Sequence, residues 1–215
     1  MIKIKCFTVN MLEENCYVLS DDTHEAVIID DGAYIRGEHQ AIDHYIVREN
    51  LIPKHVLNTH GHFDHTLGNF HLYQTYGLKP EMSTADADLY DHLSLQIQSI
   101  LGRKLKVEVV PVEHFLHDGD TIRFGNHQLQ VIETPGHTPG GICLYCRQEN
   151  ILFSGDSLFR QSIGRTDFPG GNALSLISSL KERVMTLPDS TKVYPGHGEP
   201  TTIGEERYFN PYFRN

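Results

Sequence analysis

Three histidines and one aspartate stand within six consecutive positions of this chain, in the stretch NTHGHFDHTLGN: His60, His62, Asp64 and His65. On an extended segment, residues two apart point to the same side, so His60 and His62 can reach one metal ion together. Asp64 and His65 come where a helix is expected to begin, and the change in chain direction lets them reach a neighbouring point. One loop could therefore serve two adjacent ions.

Three further candidate ligands lie in separate glycine-containing turns that follow expected strands: His137 in TPGHTPGG, Asp156 in LFSGDSL and His197 in YPGHGEP. Loops at strand ends are where rigid scaffolds display functional side chains. A lone histidine in such a turn would more often be structural, but the cluster favours metal ligation. Imidazole nitrogens and carboxylate oxygens suit zinc, iron or manganese and do not choose between them. For Asp64, capping of the following helix is the alternative.

Short strands and amphipathic helices are expected around these residues. The helical spacings cover residues 37–50, 64–76 with Gly77 as the cap, 85–100 after Ser83, and 172–187. Gly125–Asn126 indicates the turn of a β-hairpin within residues 117–134. Further strands are expected at residues 2–9, 16–20, 26–30, 55–58, 141–146, 150–156 and 192–198.

Strands followed by helices recur in each half, roughly residues 1–108 and 109–215. This pattern favours two sheets packed face to face with helices outside, within one domain spanning residues 1–215. A chain of 215 residues with 39% hydrophobic residues is ordinary for a single domain.

Composition excludes several function classes. The net charge of −10 argues against nucleic-acid binding, which rests on neutralising phosphates with Lys and Arg. No apolar run approaches the ~18 residues of a membrane span, and the start of the chain lacks a signal-peptide pattern. Reduced cysteines in a cytoplasmic monomer are therefore expected, and Cys143 and Cys146 should point to opposite faces of one strand.

The motifs THGHFDH, GHTPGG, SGDSLF and PGHG, in this order, resemble those of the metallo-β-lactamase superfamily. The resemblance implies an α+β fold, a four-layer αββα sandwich. It implies one metal site of His60, His62 and His137, a second of Asp64, His65 and His197, and Asp156 as the bridge. Asp30 in VIIDDG fits the motif that supports the metal loop without binding metal, and Thr59 is a candidate for a similar supporting contact, with a plain strand threonine as the alternative.

Two divalent cations carry four positive charges, and Asp64 and Asp156 offset two of them. The remaining charge favours a hydroxide between the ions, because coordination can lower the pKa of water to about 7. Asp64 is the expected catalytic residue, since its carboxylate can orient that hydroxide. Zinc is the expected cofactor metal, with iron or manganese as alternatives.

The stretches SIGRTDFPGG and PGHGEPTTIGEERYFNP resemble the short glyoxalase II-like hydrolases of bacteria. The resemblance implies a small-molecule thioester substrate such as S-D-lactoylglutathione, the substrate of hydroxyacylglutathione hydrolases. Arg160 and Arg165 are candidates for holding a substrate carboxylate, with a loop contact to Asp167 as the equal alternative for Arg165. The helical region that supplies glutathione contacts in full-length glyoxalase II has no counterpart to map after His197.

Persulfide dioxygenases are the main alternative, because they share this fold and a stretch like GRTDF at residues 164–168. Such an enzyme would use one iron held by His60, His137 and Asp156, a facial triad suited to oxygen chemistry. A nuclease of the same superfamily fits the acidic composition poorly. A purely structural metal site is disfavoured because structural zinc sites usually have four protein ligands each.

Overall fold

The computed structural model describes residues 1–214, and the first half of the chain forms a six-stranded mixed sheet. The strands, in their order across the sheet, are β1 (Lys3–Val9), β2 (Glu14–Ser20), β3 (Glu25–Ile29), β4 (Ile52–Leu57), β5 (Pro80–Ser83) and β6 (His114–Leu116). Strands β1 to β3 pair antiparallel, whereas β3 to β6 are parallel. Parallel neighbours need crossover connections, and helices α1 (Arg36–Arg48) and α2 (Asn69–Tyr76) supply the first two of them.

The second half forms another six-stranded sheet and a small two-stranded ribbon. Across the sheet the order is β14 (Thr201–Thr202), β13 (Lys192–Pro195), β10 (Ile151–Gly155), β9 (Ile142–Cys146), β8 (His127–Glu133) and β7 (Thr121–Phe124). The pair β10–β13 is parallel, and the other neighbours are antiparallel. The ribbon pairs β11 (Leu158–Phe159) with β12 (Ser162–Ile163).

Helices cover the outer faces of both sheets. None of those formed by residues 1–214 is long and apolar enough to cross a membrane. Two 3-10 turns precede helices, at Phe63–His65 and Thr84–Asp86. The helices are α1 (Arg36–Arg48), α2 (Asn69–Tyr76), α3 (Ala87–Asp91), α4 (Leu93–Leu101), α5 (Ala173–Ser179), which continues as a π-type turn at Leu180–Val184, and α6 (Ile203–Phe209).

Alternating side chains of each strand enter different apolar clusters, and this defines the layers. In β2, Leu19 packs between the sheets against residues such as Leu144 of β9, whereas Val18 packs outward near Ile42 of α1. On the second sheet, Leu152 faces outward into the cluster that contains α5 and α6. Both sheets are therefore buried on both faces, and the expected four-layer αββα sandwich of the α+β class is confirmed.

Several local expectations are also met. Gly125 and Asn126 form a two-residue hairpin turn between Phe124 and His127, with Gly125 at φ 51°. Gly77 ends α2 in the left-handed region, at φ 72°, and its N–H donates to the carbonyl of Tyr73. The thiols of Cys143 and Cys146 lie in different apolar clusters on opposite faces of β9.

The helix expected at residues 64–76 begins later, at Asn69, and this part of the prediction is wrong. A tertiary contact is the reason: the amide of Asn10 donates to the carbonyl of Asp64 at 2.9 Å, which holds the chain in a 3-10 turn. Asp64 therefore lies inside that turn and does not cap α2, which has no side-chain cap.

Two other boundaries also differ from expectation. The helix expected at residues 85–100 is divided at His92 into α3 and α4. The two halves meet after Leu116, because β6 still pairs with β5 of the first sheet, and not at residues 108–109. The pairing of β6 with β5 sets the boundary between the halves, and the local sequence does not show this long-range contact.

Candidate metal centre

All seven candidate ligands follow the carboxyl ends of strands at one edge of the sandwich. The loop with His60, His62, Asp64 and His65 follows β4 of the first sheet. In the second sheet His137 follows β8, Asp156 follows β10 and His197 follows β13. These segments come from both halves of the chain, so the centre forms where the two sheets meet.

Three imidazoles form one group, named here the imidazole site: His60, His62 and His137. One nitrogen of each ring lies within 4.8 Å of the others. His62 Nδ1 and His137 Nε2 are 2.9 Å apart, so a cation or a proton between them would satisfy both lone pairs. All three side chains are buried. The group therefore offers a cation three nitrogen donors with no charge of their own.

A second group contains a carboxylate and is named here the carboxylate site: Asp64, His65 and His197. Asp64 Oδ2 lies 3.3 Å from His197 Nε2 and 3.7 Å from His65 Nε2. His65 is fully buried, whereas a quarter of the His197 side chain, 26%, is exposed. This group thus combines a carboxylate with two imidazoles and is open to the surface on one side.

Asp156 stands between the two sites. Its Oδ1 lies 3.4 Å from His65 Nε2, and its Oδ2 lies 3.5 Å from His137 Nε2. The two oxygens of one carboxylate thus approach a ligand of each site. This is the position that a bridging ligand needs.

The donor atoms that face the centre fit a metal ion. Among residues 1–214, His60 Nε2, His65 Nε2 and Asp156 Oδ1 are buried without a hydrogen-bond partner. A buried polar atom left unpaired costs about 1–3 kcal/mol, and three at one point are rarely tolerated without a ligand. Coordination to divalent cations would satisfy all three, and nitrogen and oxygen donors suit zinc, iron or manganese.

Backbone carbonyls fix the orientation of two histidines. His137 Nδ1 lies 2.7 Å from the carbonyl oxygen of Arg165, and His197 Nδ1 lies 3.0 Å from that of Leu12. A carbonyl only accepts, so in both rings Nδ1 donates and Nε2 keeps its lone pair for a metal.

Asp30 supports two further histidines. It accepts hydrogen bonds from the Thr59 hydroxyl at 2.6 Å and the Thr59 N–H at 2.7 Å. Because that hydroxyl donates to Asp30, its oxygen accepts from Nδ1 of His60, at 3.1 Å. Asp30 also lies 3.1 Å from Nδ1 of His65. Asp30 thus orients the loop from behind, which is the supporting place the resemblance implied for it.

A model of the metallo-β-lactamase superfamily matches residues 10–197. The chain belongs to this superfamily. Hydroxyacylglutathione hydrolase GloC of Haemophilus influenzae is 34% identical over 215 residues, which is 100% of this chain and 99% of that protein.

Solved metallo-β-lactamase-fold structures resemble the whole chain. BLEG-1, a B3 metallo-β-lactamase, is 34% identical with a TM-score of 0.91, covering 99% of this chain and 100% of its own. TTHA1623 in a di-iron-bound form is 35% identical with a TM-score of 0.86, covering 97% and 99%. ETHE1 from Myxococcus xanthus is 28% identical with a TM-score of 0.78, covering 97% and 83%.

Asp86 is a supporting residue of this candidate metal centre that the sequence did not indicate. It accepts from the N–H of Gly61 at 2.8 Å, the Thr138 hydroxyl at 2.7 Å and the N–H of Gly140 at 2.6 Å. Gly61 separates His60 from His62, and Thr138 follows His137. Asp86 therefore ties together the two loops that form the imidazole site.

Glu14 is a second residue that sequence reasoning missed. Its side chain is fully buried behind the carboxylate site, with Oε1 3.8 Å from Nδ1 of His65. Burial, reinforced by the nearby charge of Asp30, raises its pKa well above the usual range, although His65 opposes this. Nothing in its position at the start of β2 distinguishes it from an ordinary strand-end glutamate.

The protonation of the histidines differs between the two sites. Burial and the neighbouring imidazoles hold the pKa of His60 well below its usual range, and burial lowers the pKa of His62 to about 4. The pKa of His65 is raised, because Asp156 and Asp64 outweigh the effect of its burial. Without an ion, His60 and His62 are neutral and His65 holds a proton.

The two candidate substrate residues lie in different places. Arg165 lines the cleft over the metal centre, but its guanidinium pairs with Asp167 through two contacts of 2.8 Å. The structure therefore shows the contact with Asp167, which was the alternative interpretation of Arg165. Arg160 lines another cleft, beside Gln161 and Glu206, and is not brought to the metal centre.

Proposed function

We propose that this protein is a binuclear metal-dependent thioester hydrolase, acting on glutathione thioesters such as S-D-lactoylglutathione. The observation that carries the proposal is the convergence of seven nitrogen- and oxygen-bearing side chains around unpaired, buried ligand atoms. The similarity to a hydroxyacylglutathione hydrolase over nearly the full length of both chains supports the substrate class.

The seven side chains would hold two divalent cations, which would supply a hydroxide nucleophile at neutral pH and a Lewis acid for the thioester carbonyl. Asp64 stays a carboxylate, because His65 and His197 lower its pKa although burial opposes them. Facing the cleft, it accepts a hydrogen bond from the attacking water and fixes its direction. A thiolate is a good leaving group, since free thiols have a pKa of about 8.5, so a strong general acid is not required.

We propose zinc as the metal, with iron or manganese as alternatives. The donor set of imidazoles and carboxylates accommodates all three. The structural neighbour with two irons supports a centre for two ions and keeps iron among the candidates. Elemental analysis of the purified protein decides between them.

The second candidate function is a mononuclear iron persulfide dioxygenase, favoured by the stretch GRTDF at residues 164–168. His60, His137 and Asp156 would form its triad, and Asp156 lies 3.5 Å from His137. The unpaired Nε2 of His65 in the carboxylate site favours two ions over one. If the protein consumed oxygen in the presence of glutathione persulfide and cleaved no thioester, the hydrolase proposal would be wrong and the dioxygenase proposal would take its place.

The decisive experiment combines metal analysis with a panel of glutathione thioesters. We expect about two ions per chain and cleavage of at least one thioester in the wild type. His62→Ala should lose metal and hydrolysis while keeping the folded circular-dichroism spectrum, because its ring lines the cleft and is not part of the apolar core. His44→Ala, at an exposed position of α1, is the matched control and should change neither. Full activity of His62→Ala at confirmed low metal content would refute the proposal.

A further inference from the structure

A second, larger groove adjoins the cleft over the metal centre. Its volume is about 700 Å³, against about 480 Å³ for the metal cleft, and both lie within the range of small-molecule sites. Helices α3 and α4 form one wall and residues 165–169 form the other. The apolar residues of the lining are Leu89, Leu95, Ile100, Phe168 and Pro169.

The groove and the metal cleft are continuous. They share His62, Ile100, Arg165 and Phe168 as lining residues. The ring of Phe168 packs edge-on against that of His62, with centroids 5.9 Å apart. A substrate whose reacting carbonyl is held at the imidazole site could therefore extend a substituent into this groove.

The polar side chains of the groove are already engaged. The guanidinium of Arg165 pairs with Asp167 and lies 3.7 Å from the ring centroid of Phe168. The amide of Gln96 accepts from the N–H of Phe63 and donates to the carbonyl of Gly61. The thiol arm of a glutathione thioester carries two carboxylates and an ammonium, and it would find no free charged partner on this wall.

Two further polar lining residues also have backbone partners. Nδ1 of His92 lies 2.7 Å from the carbonyl of Asp88, and the hydroxyl of Ser99 donates to the carbonyl of Gln96. The apolar lining, in contrast, is open to water: Leu95 is 61% exposed and Ile100 is 37% exposed. Apolar surface beside a reaction site is what an apolar part of a ligand covers.

We propose that this groove binds the acyl chain of the thioester, so that preferred substrates carry medium-length or aromatic acyl groups larger than lactoyl. This inference rests on the proposed thioester hydrolysis and specifies its substrate class. The charged thiol arm then leaves the cleft on the opposite side, past Phe159 and His197.

The first test compares acetyl, hexanoyl and octanoyl thioesters of glutathione with the metal-loaded protein. Full burial of one methylene corresponds to about a fourfold gain in binding, so partial burial of several should raise kcat/KM by at least about tenfold from acetyl to octanoyl. Equal kcat/KM values across the series would overturn the inference while leaving thioester hydrolysis intact.

Leu95→Glu tests the groove itself, since the residue is exposed and its replacement leaves the core unchanged. We expect the ratio of octanoyl to acetyl kcat/KM to fall about tenfold, because a carboxylate replaces the apolar wall. Leu174→Glu, at a position of α5 that is 82% exposed, is the matched control and should leave the ratio unchanged. An unchanged ratio in Leu95→Glu would contradict the inference.

A binding measurement separates the groove from the reaction. S-octylglutathione and S-methylglutathione are thioethers that cannot be hydrolysed, and their dissociation constants can be measured by calorimetry on the metal-loaded protein. We expect the octyl compound to bind at least about tenfold more tightly, and Leu95→Glu to remove that difference. Equal affinities would overturn the inference. Absence of any thioester cleavage, with the affinity difference present, would refute the proposed function and leave the apolar subsite standing.

Discussion

The imidazole site and the carboxylate site lie side by side but offer a cation different surroundings. In the first, buried rings offer nitrogen donors, and Asp86 fixes their loops by accepting three hydrogen bonds. In the second, His65 lies between the carboxylates of Asp64 and Asp156, and His197 is partly open to water. Cation binding at the imidazole site would therefore depend mainly on the placement of the nitrogen donors. At the carboxylate site it would depend mainly on the charge of the carboxylates.

Asp156→Ala should have the largest effect, because it removes the residue that belongs to both sites. We expect the metal content to fall from about two ions per chain to less than one. The rate of hydrolysis should fall by more than about 100-fold. Loss of a residue that only supports a metal ligand has a smaller effect than this. Elemental analysis and thioester kinetics measure both effects. Retention of two ions would show that Asp156 does not bridge the sites.

Asp86→Ala should weaken the imidazole site selectively. It leaves three donors without an acceptor in a buried region, so we expect a loss of about 3 kcal/mol in the free energy of unfolding. The affinity for the ion at this site should fall about tenfold. Urea denaturation and metal titration measure these changes, with Asp91→Ala, at an exposed position of α3, as the control. Equal free energies of unfolding for Asp86→Ala and Asp91→Ala would show that Asp86 does not support the metal centre.

Acidification should empty the carboxylate site first. The raised pKa of His65 means that a proton competes with the ion there at higher pH than at His62, whose pKa is about 4. As the pH falls, protons should therefore displace the ion of the carboxylate site while an ion is still bound at the imidazole site. Elemental analysis after equilibration at successive pH values should pass through a one-ion state. Simultaneous loss of both ions would contradict this difference between the sites.

Arg165→Ala should have the smallest effect. The contact of Arg165 with His137 uses the backbone carbonyl, which the substitution preserves, and the guanidinium is paired with Asp167. We expect a rise of KM of about threefold with little change in kcat, through the loss of the wall that the arginine forms with Phe168. Steady-state kinetics measures the two constants, and a fall in kcat with constant KM would place the arginine at the reacting atoms instead.

The sequence predicted the convergence of the candidate ligands because their signal is local. The residue types of His60, His62 and His65 and their spacing are visible in one loop, and glycine-containing turns accompany His137 and His197. The four-layer fold followed from strand and helix patterns and from the resemblance of the motifs.

The remaining features depend on contacts between distant parts of the chain. Asp86 reaches Gly140, 54 positions away, and Asn10 reaches the carbonyl of Asp64, also 54 positions away. Neither pair has a local pattern, so the support of the imidazole site and the late start of α2 could not be predicted. The position of Arg160 in another cleft was equally hidden, because the ribbon of β11 and β12 reverses the chain just there.

Neither half of the chain contains a whole site. The imidazole site takes two ligands from the first half and His137 from the second, and the carboxylate site takes two from the first and His197 from the second. Each ion would thus act as a cross-link between the sheets, comparable to a covalent bridge that a chelator can open.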